Sequence, residues 1–272
     1  MTFRAARSFT AALLLLTASA LLGTGKETRA AAAPESAPAL EFASRIRDYR
    51  DSLSWANLIV ERRLTHDILR DSLALGRQFL VNNQKPAGNF NYQYDFLEKK
   101  LDERDSQVRQ AGALWGLALI QQYEGNDASR EALDRGLKFF FENSRAGPVK
   151  GSAVIAYPGE EYCRTGTVAL VALAVIDYLR AGEGRPGGLE EAYRDRLEDM
   201  ARRYLRFLLF MRLEDGHFSE ALHLQTGKRS DDSSPYFDGE SLLCLVKAAR
   251  YLGYVELLPA IEFSAMVMAR GD

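Results

Sequence analysis

Three segments of this sequence open in the same way, with a polar residue and a glycine that lead into small and aliphatic residues. The segments are residues 110–115, 165–170 and 238–243, with glycines at Gly112, Gly166 and Gly239. Each follows a loop rich in aromatic and charged residues, and an amphipathic helix is predicted before that loop. A unit that recurs at intervals of several tens of residues, and that cannot bury its apolar face alone, indicates a tandem array of helical hairpins.

The predicted helices are of two alternating kinds. Residues 111–120 and 165–179 are apolar on every face, whereas residues 128–143 and 189–210 mix charged with apolar residues. A helix without a polar face has no side for solvent and is expected in an inner layer, while an amphipathic helix is expected in an outer layer. The other predicted helices are residues 40–63, 66–83, 240–251 and 255–268. No strand of convincing length is predicted, although residues 153–157 can form a short one.

Two layers of tandem hairpins are typical of a helical ring or solenoid. Even arrays such as TPR and HEAT repeats join their helices through short connections, whereas the loops that lead into the apolar helices here have about 20 residues or more. Loops of that length inside a compact domain are usually functional. We therefore predict an all-α fold in which tandem helical hairpins form a partial or open α/α toroid, with inner apolar and outer amphipathic helices.

The N-terminus has the composition of a secretory signal peptide. Arg4 and Arg7 precede an apolar run over residues 11–22, and the small residues 30–33 suit cleavage by signal peptidase. An uncleaved membrane anchor is the alternative, but the run is short for a bilayer. We predict a signal peptide over residues 1–30, a disordered linker over residues 31–38 and a toroid domain over residues 39–272. The localisation is then periplasmic or secreted, without stable membrane insertion after cleavage.

The net charge argues against nucleic-acid binding, and the spacing of the histidines and cysteines argues against a zinc site. The formal net charge is −2, so the chain lacks the basic field that is typical of nucleic-acid binding. His66, His217 and His223, together with the cysteines, show no zinc-type spacing, so neither a metal nor a cofactor is predicted. In an exported protein Cys163 and Cys244 can form one disulfide or stay two buried thiols, and both alternatives stay open.

Two segments carry a resemblance to a known superfamily. Residues 83–90 and residues 212–218 resemble the helix-end, turn and Gly-x-aromatic pattern of α/α-toroid proteins. That superfamily includes six-hairpin glycosidases, uronate-processing lyases and epimerases, and terpenoid cyclases, and the resemblance is nearest to uncharacterised exported bacterial members. It covers residues 65–270 and implies the fold more directly than an activity. A complete toroid has more helices than are predicted here, so the expected ring is open or the chain is a truncated portion.

The resemblance implies a functional site at one end of the toroid, where the loops that lead into the inner helices gather as a funnel. The predicted catalytic residues are Asp215, His217, Asp238 and Glu240. The predicted substrate-binding residues are Tyr94, Asp105, Arg109, Tyr157, Arg164 and Tyr236. Opposed carboxylates can divide acid and base roles because burial and repulsion separate their pKa values, and a histidine can act as acid or base. Aromatic rings offer flat faces to sugar rings, and arginines near helix N-termini favour an anionic ligand.

These expectations favour an exported protein that binds or processes a carbohydrate, with an acidic glycan as candidate ligand and general acid/base chemistry as candidate mechanism. The alternative is a non-catalytic helical scaffold that binds a peptide or glycan in the cell envelope. Structural roles stay open for single residues, because Asp238 or Thr165 can cap a helix, and Arg109 and Arg164 can pair with acids of their loops. The loop aromatics can also fill the mouth of the ring as core.

Overall fold

Seven helices and six short strands follow one another in the residues that the computed structural model describes, which are 64–102, 104–182 and 188–270. The helices are α1 (His66–Asn82), α2 (Gln107–Glu124), α3 (Asp127–Glu142), α4 (Thr165–Gly182), α5 (Glu191–Met211), α6 (Pro235–Tyr251) and α7 (Leu258–Arg270), with a 3-10 turn at Val255–Leu257. The strands are β1 (Gln93–Asp95), β2 (Lys100–Asp102), β3 (Ser144–Ala146), β4 (Ala153–Ile155), β5 (Tyr162–Arg164) and β6 (Ala221–His223). The predicted signal peptide, the predicted linker and the helix predicted over residues 40–63 lie outside the described residues.

Helices α2, α4 and α6 form the inner layer, and α4 packs against both of the others. Sixteen residues of α4 are buried, which confirms the prediction that this helix has no solvent side. Among the described helices α4 is also the one that is long and apolar enough to cross a membrane, and 89% of its apolar window is buried inside the protein. Helices α2 and α6 bury fewer residues, since in the described part of the chain each packs closely against one inner helix rather than two.

The inner helices run parallel to one another. Near the start of α4, Gly166 lies against Phe237 of α6, and further along α4 the carboxylate of Asp177 bonds Lys247 of α6. In the same way, Gly112 of α2 faces Leu170 of α4, and further along both helices Trp115 donates a hydrogen bond to Asp177. The loops that precede the three inner helices therefore lie at the same end, which we call the site end.

Helices α3 and α5 pack on the inner layer with one face each. Leu133, Leu137 and Phe140 of α3 are buried, as are Tyr204 and Phe207 of α5, while the charged residues of both helices lie mostly at the surface. The predicted alternation of inner apolar and outer amphipathic helices is thus confirmed. The predicted bounds of α3 and α5 are correct to within two residues.

Helix α6 begins earlier than predicted, at Pro235 rather than at Glu240. Proline suits the first position of a helix, because its fixed φ is already helical and the N–H that it lacks would have no partner in the helix. The earlier start makes Asp238 part of the first turn of the helix, with Ser234 as the N-cap residue. The alternative in which Asp238 caps α6 is therefore wrong.

The long loops contain short strand pairs that were not predicted. β1 pairs with β2, β3 with β4 and β5 with β6, all in antiparallel register. The short strand predicted over residues 153–157 is present as β4, whereas β1 and β2 lie in the long loop before α2, where no strand was predicted. Pairing satisfies backbone N–H and C=O groups that an irregular loop would leave to solvent. The β5–β6 pair also joins the loop before α4 to the loop before α6.

Cys163 and Cys244 are both buried and free, so the structure contains two thiols rather than a disulfide. Burial raises the pKa of the Cys163 thiol to about 12, and burial also raises the pKa of the Cys244 thiol. Both thiols are protonated at neutral pH and act as small apolar core residues, because only the thiolate is reactive.

Gly166 allows a close approach between α4 and α6. A side chain at this position would overlap the ring of Phe237, and its Cβ would lie 2.8 Å from Oε2 of Glu240. The other two glycines of the repeated pattern leave more room, since a Cβ at Gly112 makes only an ordinary contact and one at Gly239 meets nothing within 4 Å. Of these three positions, only position 166 requires a glycine, because a side chain there would overlap residues of α6.

Gly166→Val is expected to lower the free energy of unfolding by roughly 1–3 kcal/mol, because overpacking forces the neighbouring ring and carboxyl group to move. The matched control is Gly116→Val in α2, where an added Cβ meets nothing within 4 Å. Both variants place valine inside a helix, so their difference isolates the packing effect. Urea unfolding measures it, and equal stabilities would contradict the close approach at Gly166.

Candidate functional site

Two loops at the site end contain the same tight turn. Before α2, the Lys85 N–H donates to the carbonyl of Asn89 at 2.7 Å, and before α6 the Leu213 N–H donates to the carbonyl of His217 at 2.8 Å. Each turn also contains a glycine with positive φ, at +105° in the first loop and +96° in the second. Asn89 and His217 directly follow these glycines, so the two residues occupy corresponding positions.

Each turn is anchored by a side chain from the helix that follows it. The Phe90 N–H donates to Oε1 of Gln110 at 2.6 Å, and the Phe218 N–H donates to Oδ1 of Asp238 at 2.7 Å. Gln110 and Asp238 are each the fourth residue of their helix, so these two positions correspond. Gly112 lies two residues after Gln110, whereas Gly239 lies one residue after Asp238. The alignment of the first and third segments on their glycines is therefore wrong by one residue.

In the loop before α6 the anchoring residue also holds a histidine. Nδ1 of His217 lies 2.7 Å from Oδ2 of Asp238, and Asp238 is only 4% exposed. A carboxylate can only accept a hydrogen bond, so in the neutral imidazole that faces it Nδ1 carries the hydrogen and Nε2 has the lone pair. This is the arrangement in which a carboxylate orients a histidine as a general base. The side chain of His217 is partly exposed, so a ligand can reach it.

Glu240 lies two residues beyond Asp238 on α6, with its carboxyl group packed against Gly166. Its Oε2 is buried and has no hydrogen-bond partner among the described residues. Burial raises the pKa of Glu240 to about 8, because an apolar environment disfavours the charged form. The carboxyl group is therefore protonated at neutral pH and can donate a proton.

Three further polar atoms near the site end are buried without a partner in the described part of the chain. They are the hydroxyl oxygens of Tyr157, Thr167 and Ser241. Burial raises the pKa of Tyr157, and the carboxylates of Asp105 and Glu160 raise it further. Thr167 and Ser241 are fully buried, whereas Tyr157 is partly exposed, so of the three hydroxyls that of Tyr157 is the candidate for contact with a polar ligand.

Asp105 is bonded within its own loop. Its Oδ1 accepts hydrogen bonds from Nε2 of Gln110 at 2.7 Å and from the Ser106 N–H at 2.6 Å, while its Oδ2 accepts from Nδ2 of Asn89 at 3.4 Å. Ser106 is the N-cap residue of α2 but makes no capping bond with its side chain. Asp105 thus shapes the loop and still presents one oxygen at the site end.

The two predicted arginines have different partners. Arg109 donates from Nη1 to the hydroxyl of Tyr92 at 2.8 Å, whereas Arg164 forms an ion pair with Glu220 at 2.8 Å. The alternative in which the arginines pair with loop acids therefore holds for Arg164, whereas Arg109 is bonded to the hydroxyl of Tyr92 among the residues that the structure describes. Since the partner of Arg109 is a neutral hydroxyl, its positive charge is available to an anionic ligand.

Of the other predicted site residues, Tyr94, Tyr236 and Asp215 are exposed, whereas Tyr157 is partly buried. Tyr94 in β1 is 55% exposed and Tyr236 at the start of α6 is 61% exposed, so neither fills the mouth of the ring as core. Tyr157 is partly buried, with its ring edge-on to Phe139. Asp215 accepts a hydrogen bond from the His217 N–H at 2.9 Å and shapes the turn. The structure thus brings Asp215, His217 and Asp238 together where this turn meets α6.

Thr165 does not cap α4 but belongs to it as its first residue. Its hydroxyl donates to the carbonyl of Ser219 at 2.5 Å, and its N–H donates to the carbonyl of Glu220 at 3.0 Å. These bonds fix the loop before α6 to the start of α4. The alternative in which Thr165 caps α4 is wrong, because the residue anchors a neighbouring loop instead.

A charged cluster inside the inner layer was not predicted. The buried carboxylate of Asp177 accepts from Nε1 of Trp115 at 2.8 Å, from Nζ of Lys247 at 2.7 Å and from Nη1 of Arg180 at 3.0 Å. The cluster joins the middle of α2 to the C-terminal halves of α4 and α6. The signal in the sequence is that Asp177 is the one charged residue in the apolar run 165–179, since a buried carboxylate needs cationic partners.

Solved structures of carbohydrate-active enzymes have a similar fold. A D-mannose isomerase is 13% identical with a TM-score of 0.58, over 75% of this chain and 51% of that protein. A sugar epimerase from a ruminal bacterium is 14% identical with a TM-score of 0.53, over 71% of this chain and 53% of that protein. The chain thus spans about half the length of each of these two proteins. No protein-family model matches the sequence, and no curated protein matches it.

These similarities confirm the fold that was predicted from the sequence. The chain has the fold of a partial or open α/α toroid, built from tandem helical hairpins. At this level of identity the likeness concerns the fold, and an activity has to be argued from the residues of the site.

Proposed function

We propose that this protein is a carbohydrate-processing enzyme that transfers protons, with His217 as the base and Glu240 as the acid. The observation that carries the proposal is the 2.7 Å contact between His217 and Asp238. In the corresponding turn before α2, Asn89 and Gln110 hold the same backbone without a titratable pair. The fold therefore does not require a histidine and a carboxylate at these positions, which supports a chemical role for them.

The pair fits proton abstraction from carbon better than glycoside hydrolysis. Most glycosidases use two carboxyl groups, whereas here Asp238 is engaged with His217 and leaves one imidazole and one protonated carboxyl group. The imidazole would take a proton from the carbon beside a carbonyl or carboxyl group, and Glu240 would protonate the oxygen that gains charge. Return of the proton gives epimerisation or isomerisation, and departure of a neighbouring leaving group gives elimination.

Three features support a carbohydrate as the ligand. The fold is that of a mannose isomerase and a sugar epimerase. Tyr94 and Tyr236 expose flat aromatic faces, which suit the faces of sugar rings. Arg109 carries a positive charge opposite a neutral hydroxyl, so we propose an acidic glycan as the preferred ligand.

We also propose that the protein is exported, with residues 1–30 removed as a signal peptide. The charged, apolar and small-residue regions of this segment support the proposal. N-terminal sequencing of protein recovered from the periplasm or medium is expected to show a start near residue 31. Recovery of uncleaved protein from the cytoplasm alone would contradict export.

The alternative function is a non-catalytic scaffold that binds a glycan or a peptide in the cell envelope. The observation that favours it is the pairing of Arg164 with Glu220 and of Asp105 with Gln110, because these groups are satisfied within the loops. A scaffold would bind ligand without turnover, and its affinity would not depend on the tautomer of His217.

Glu240→Gln is expected to change how stability depends on pH. The folded state raises the pKa of Glu240 from 4.5 to about 8, so folding favours the protonated form. The stability that wild type gains in this way is fully present below pH 4.5 and is lost as the pH rises to about 8. Glutamine does not titrate, so the variant should gain stability relative to wild type over this range. Urea unfolding at several pH values measures the difference, and a constant difference would contradict a buried, protonated Glu240.

The proposed function is tested by titrating the purified protein with neutral and acidic oligosaccharides, following melting temperature and product formation. We expect an acidic glycan to raise the melting temperature and to be converted. Stabilisation without conversion would favour the scaffold, and conversion of neutral sugars alone would contradict the acidic ligand. No response to any glycan would contradict the carbohydrate assignment.

A further inference from the structure

We infer that the loop before α2 binds hydroxyl groups of the sugar through Asn89 and Asp105, an inference that rests on the proposed function and extends it to ligand recognition. Asn89 occupies in its turn the position that His217 occupies in the other turn. Each residue follows a glycine with positive φ and precedes a buried phenylalanine, and both side chains are partly exposed.

The two turns stand in the same relation to two parallel helices. Each is anchored through its phenylalanine N–H to the fourth residue of the helix that follows, which is Gln110 in α2 and Asp238 in α6. Both helices pack against α4, and successive repeats of such an array are related by a rotation. Asn89 is therefore expected to face the same funnel as His217, from the hairpin on the other side of α4.

The contact between Asn89 and Asp105 is loose enough to be exchanged for a ligand. Its length of 3.4 Å exceeds the usual range of roughly 2.7–3.2 Å, and in the described part of the chain it is the single side-chain hydrogen bond of Asn89. Asp105, by contrast, is fixed through its other oxygen by Gln110 and the Ser106 N–H. Oδ2 of Asp105 is thus pre-positioned and has capacity for a further donor.

These groups match the hydroxyls of a sugar. An amide both donates and accepts hydrogen bonds, while a carboxylate accepts only, so the pair suits two neighbouring hydroxyl groups. Tyr157 supplies a third group, because its hydroxyl is buried without a partner among the described residues and the carboxylate of Asp105 is close enough to raise its pKa. The amide of Asn89 does not titrate, so this turn would hold the ligand while the turn with His217 reacts with it.

The test measures binding rather than turnover, in the full-length chain that carries His217→Gln. Isothermal titration with D-mannose, mannotetraose and trigalacturonic acid gives the affinity of each probe. Adding Asn89→Ala should weaken the binding of a probe roughly 3- to 10-fold, which is the loss of one to two hydrogen bonds. The melting temperature should not change, because backbone bonds hold the turn. The matched control, Asn82→Ala at the exposed end of α1, should leave the affinity unchanged.

The outcomes separate this inference from the proposed function. A probe that binds equally well to the Asn89→Ala variant would overturn the inference and leave the proposed chemistry intact. Binding that depends on Asn89, together with equal turnover by wild type and His217→Gln, would overturn the proposed chemistry and support the inference. Failure of every probe to bind would overturn both.

Discussion

Asp238→Asn should lower kcat by roughly 100- to 10,000-fold, the usual contribution of general acid–base catalysis, while the free energy of unfolding stays within about 1 kcal/mol of wild type. Asparagine keeps an oxygen that can accept from the Phe218 N–H, as Gln110 does for Phe90 in the corresponding turn. Its NH2 group, however, would donate to Nδ1 of His217. The proton of the imidazole would then lie on Nε2, which could no longer act as a base.

The matched control for this substitution is Asp134→Asn on the outer helix α3. Asp134 accepts hydrogen bonds from the hydroxyls of Tyr178 and Tyr193, both at 2.9 Å, and an asparagine oxygen can accept them too. The control should keep wild-type kcat. Steady-state kinetics and urea unfolding measure both variants, and equal kcat for Asp238→Asn and wild type would remove the pair from the mechanism.

Asp177→Asn is expected to lower the free energy of unfolding by roughly 3–5 kcal/mol, because it leaves buried cations without their counter-charge. Asp177 is fully buried, and its partners Lys247 and Arg180 are only 15% and 22% exposed. The cations cannot reach solvent freely, so losing the carboxylate costs more than losing a surface ion pair. Urea unfolding at neutral pH measures the change.

Lys247→Met provides the comparison within the same cluster. Removing this one cation leaves Asp177 bonded to Arg180 and Trp115, so the loss of stability should be clearly smaller than for Asp177→Asn. If the free energy of unfolding of Asp177→Asn is within about 1 kcal/mol of the wild-type value, the cluster contributes no more to stability than a surface ion pair does. That result would contradict its assigned role in joining the inner helices.

The architecture could be predicted because the spacing of apolar and charged residues along the sequence indicates which helices lie in the inner layer and which in the outer layer. The apolar run over residues 165–179 identifies α4 as a buried helix, and the mixed pattern of α3 and α5 places them outside. Both signals depend on residues close together in the sequence. Apart from β4, the strands could not be predicted in this way, because three residues do not show an alternating pattern and the pairing of strands is set by distant parts of the chain.

The shared Gly-x-aromatic pattern of residues 83–90 and 212–218 indicates that the two turns correspond, but the side chains that anchor them were harder to predict, because the residues in equivalent positions differ. His217 corresponds to Asn89, and Asp238 corresponds to Gln110. The glycines that suggested the alignment are not equivalent, and only Gly166 is demanded by packing. The shared feature is a hydrogen bond from a backbone N–H to a helix side chain, which different polar residues can supply.

The candidate site was predicted as a set of loops rather than as a set of contacts. Residue types and the positions of helix starts were enough to propose His217, Asp238 and Glu240. They could not show that Asp238 holds His217, or that Glu240 is buried without a partner, because burial depends on how α4 and α6 pack. Asp177 was missed for the same reason, since its partners come from two other helices and the next turn of its own.

The most direct test of the proposed chemistry is proton NMR of an acidic oligosaccharide incubated with the protein in D2O. Abstraction of a proton from carbon by His217 predicts that deuterium replaces that hydrogen while product forms, and that the His217→Gln variant produces neither change. If wild-type protein binds the sugar but its carbon-bound hydrogens stay unexchanged and no product appears, the protein is a binding module and the proton-transfer account is wrong.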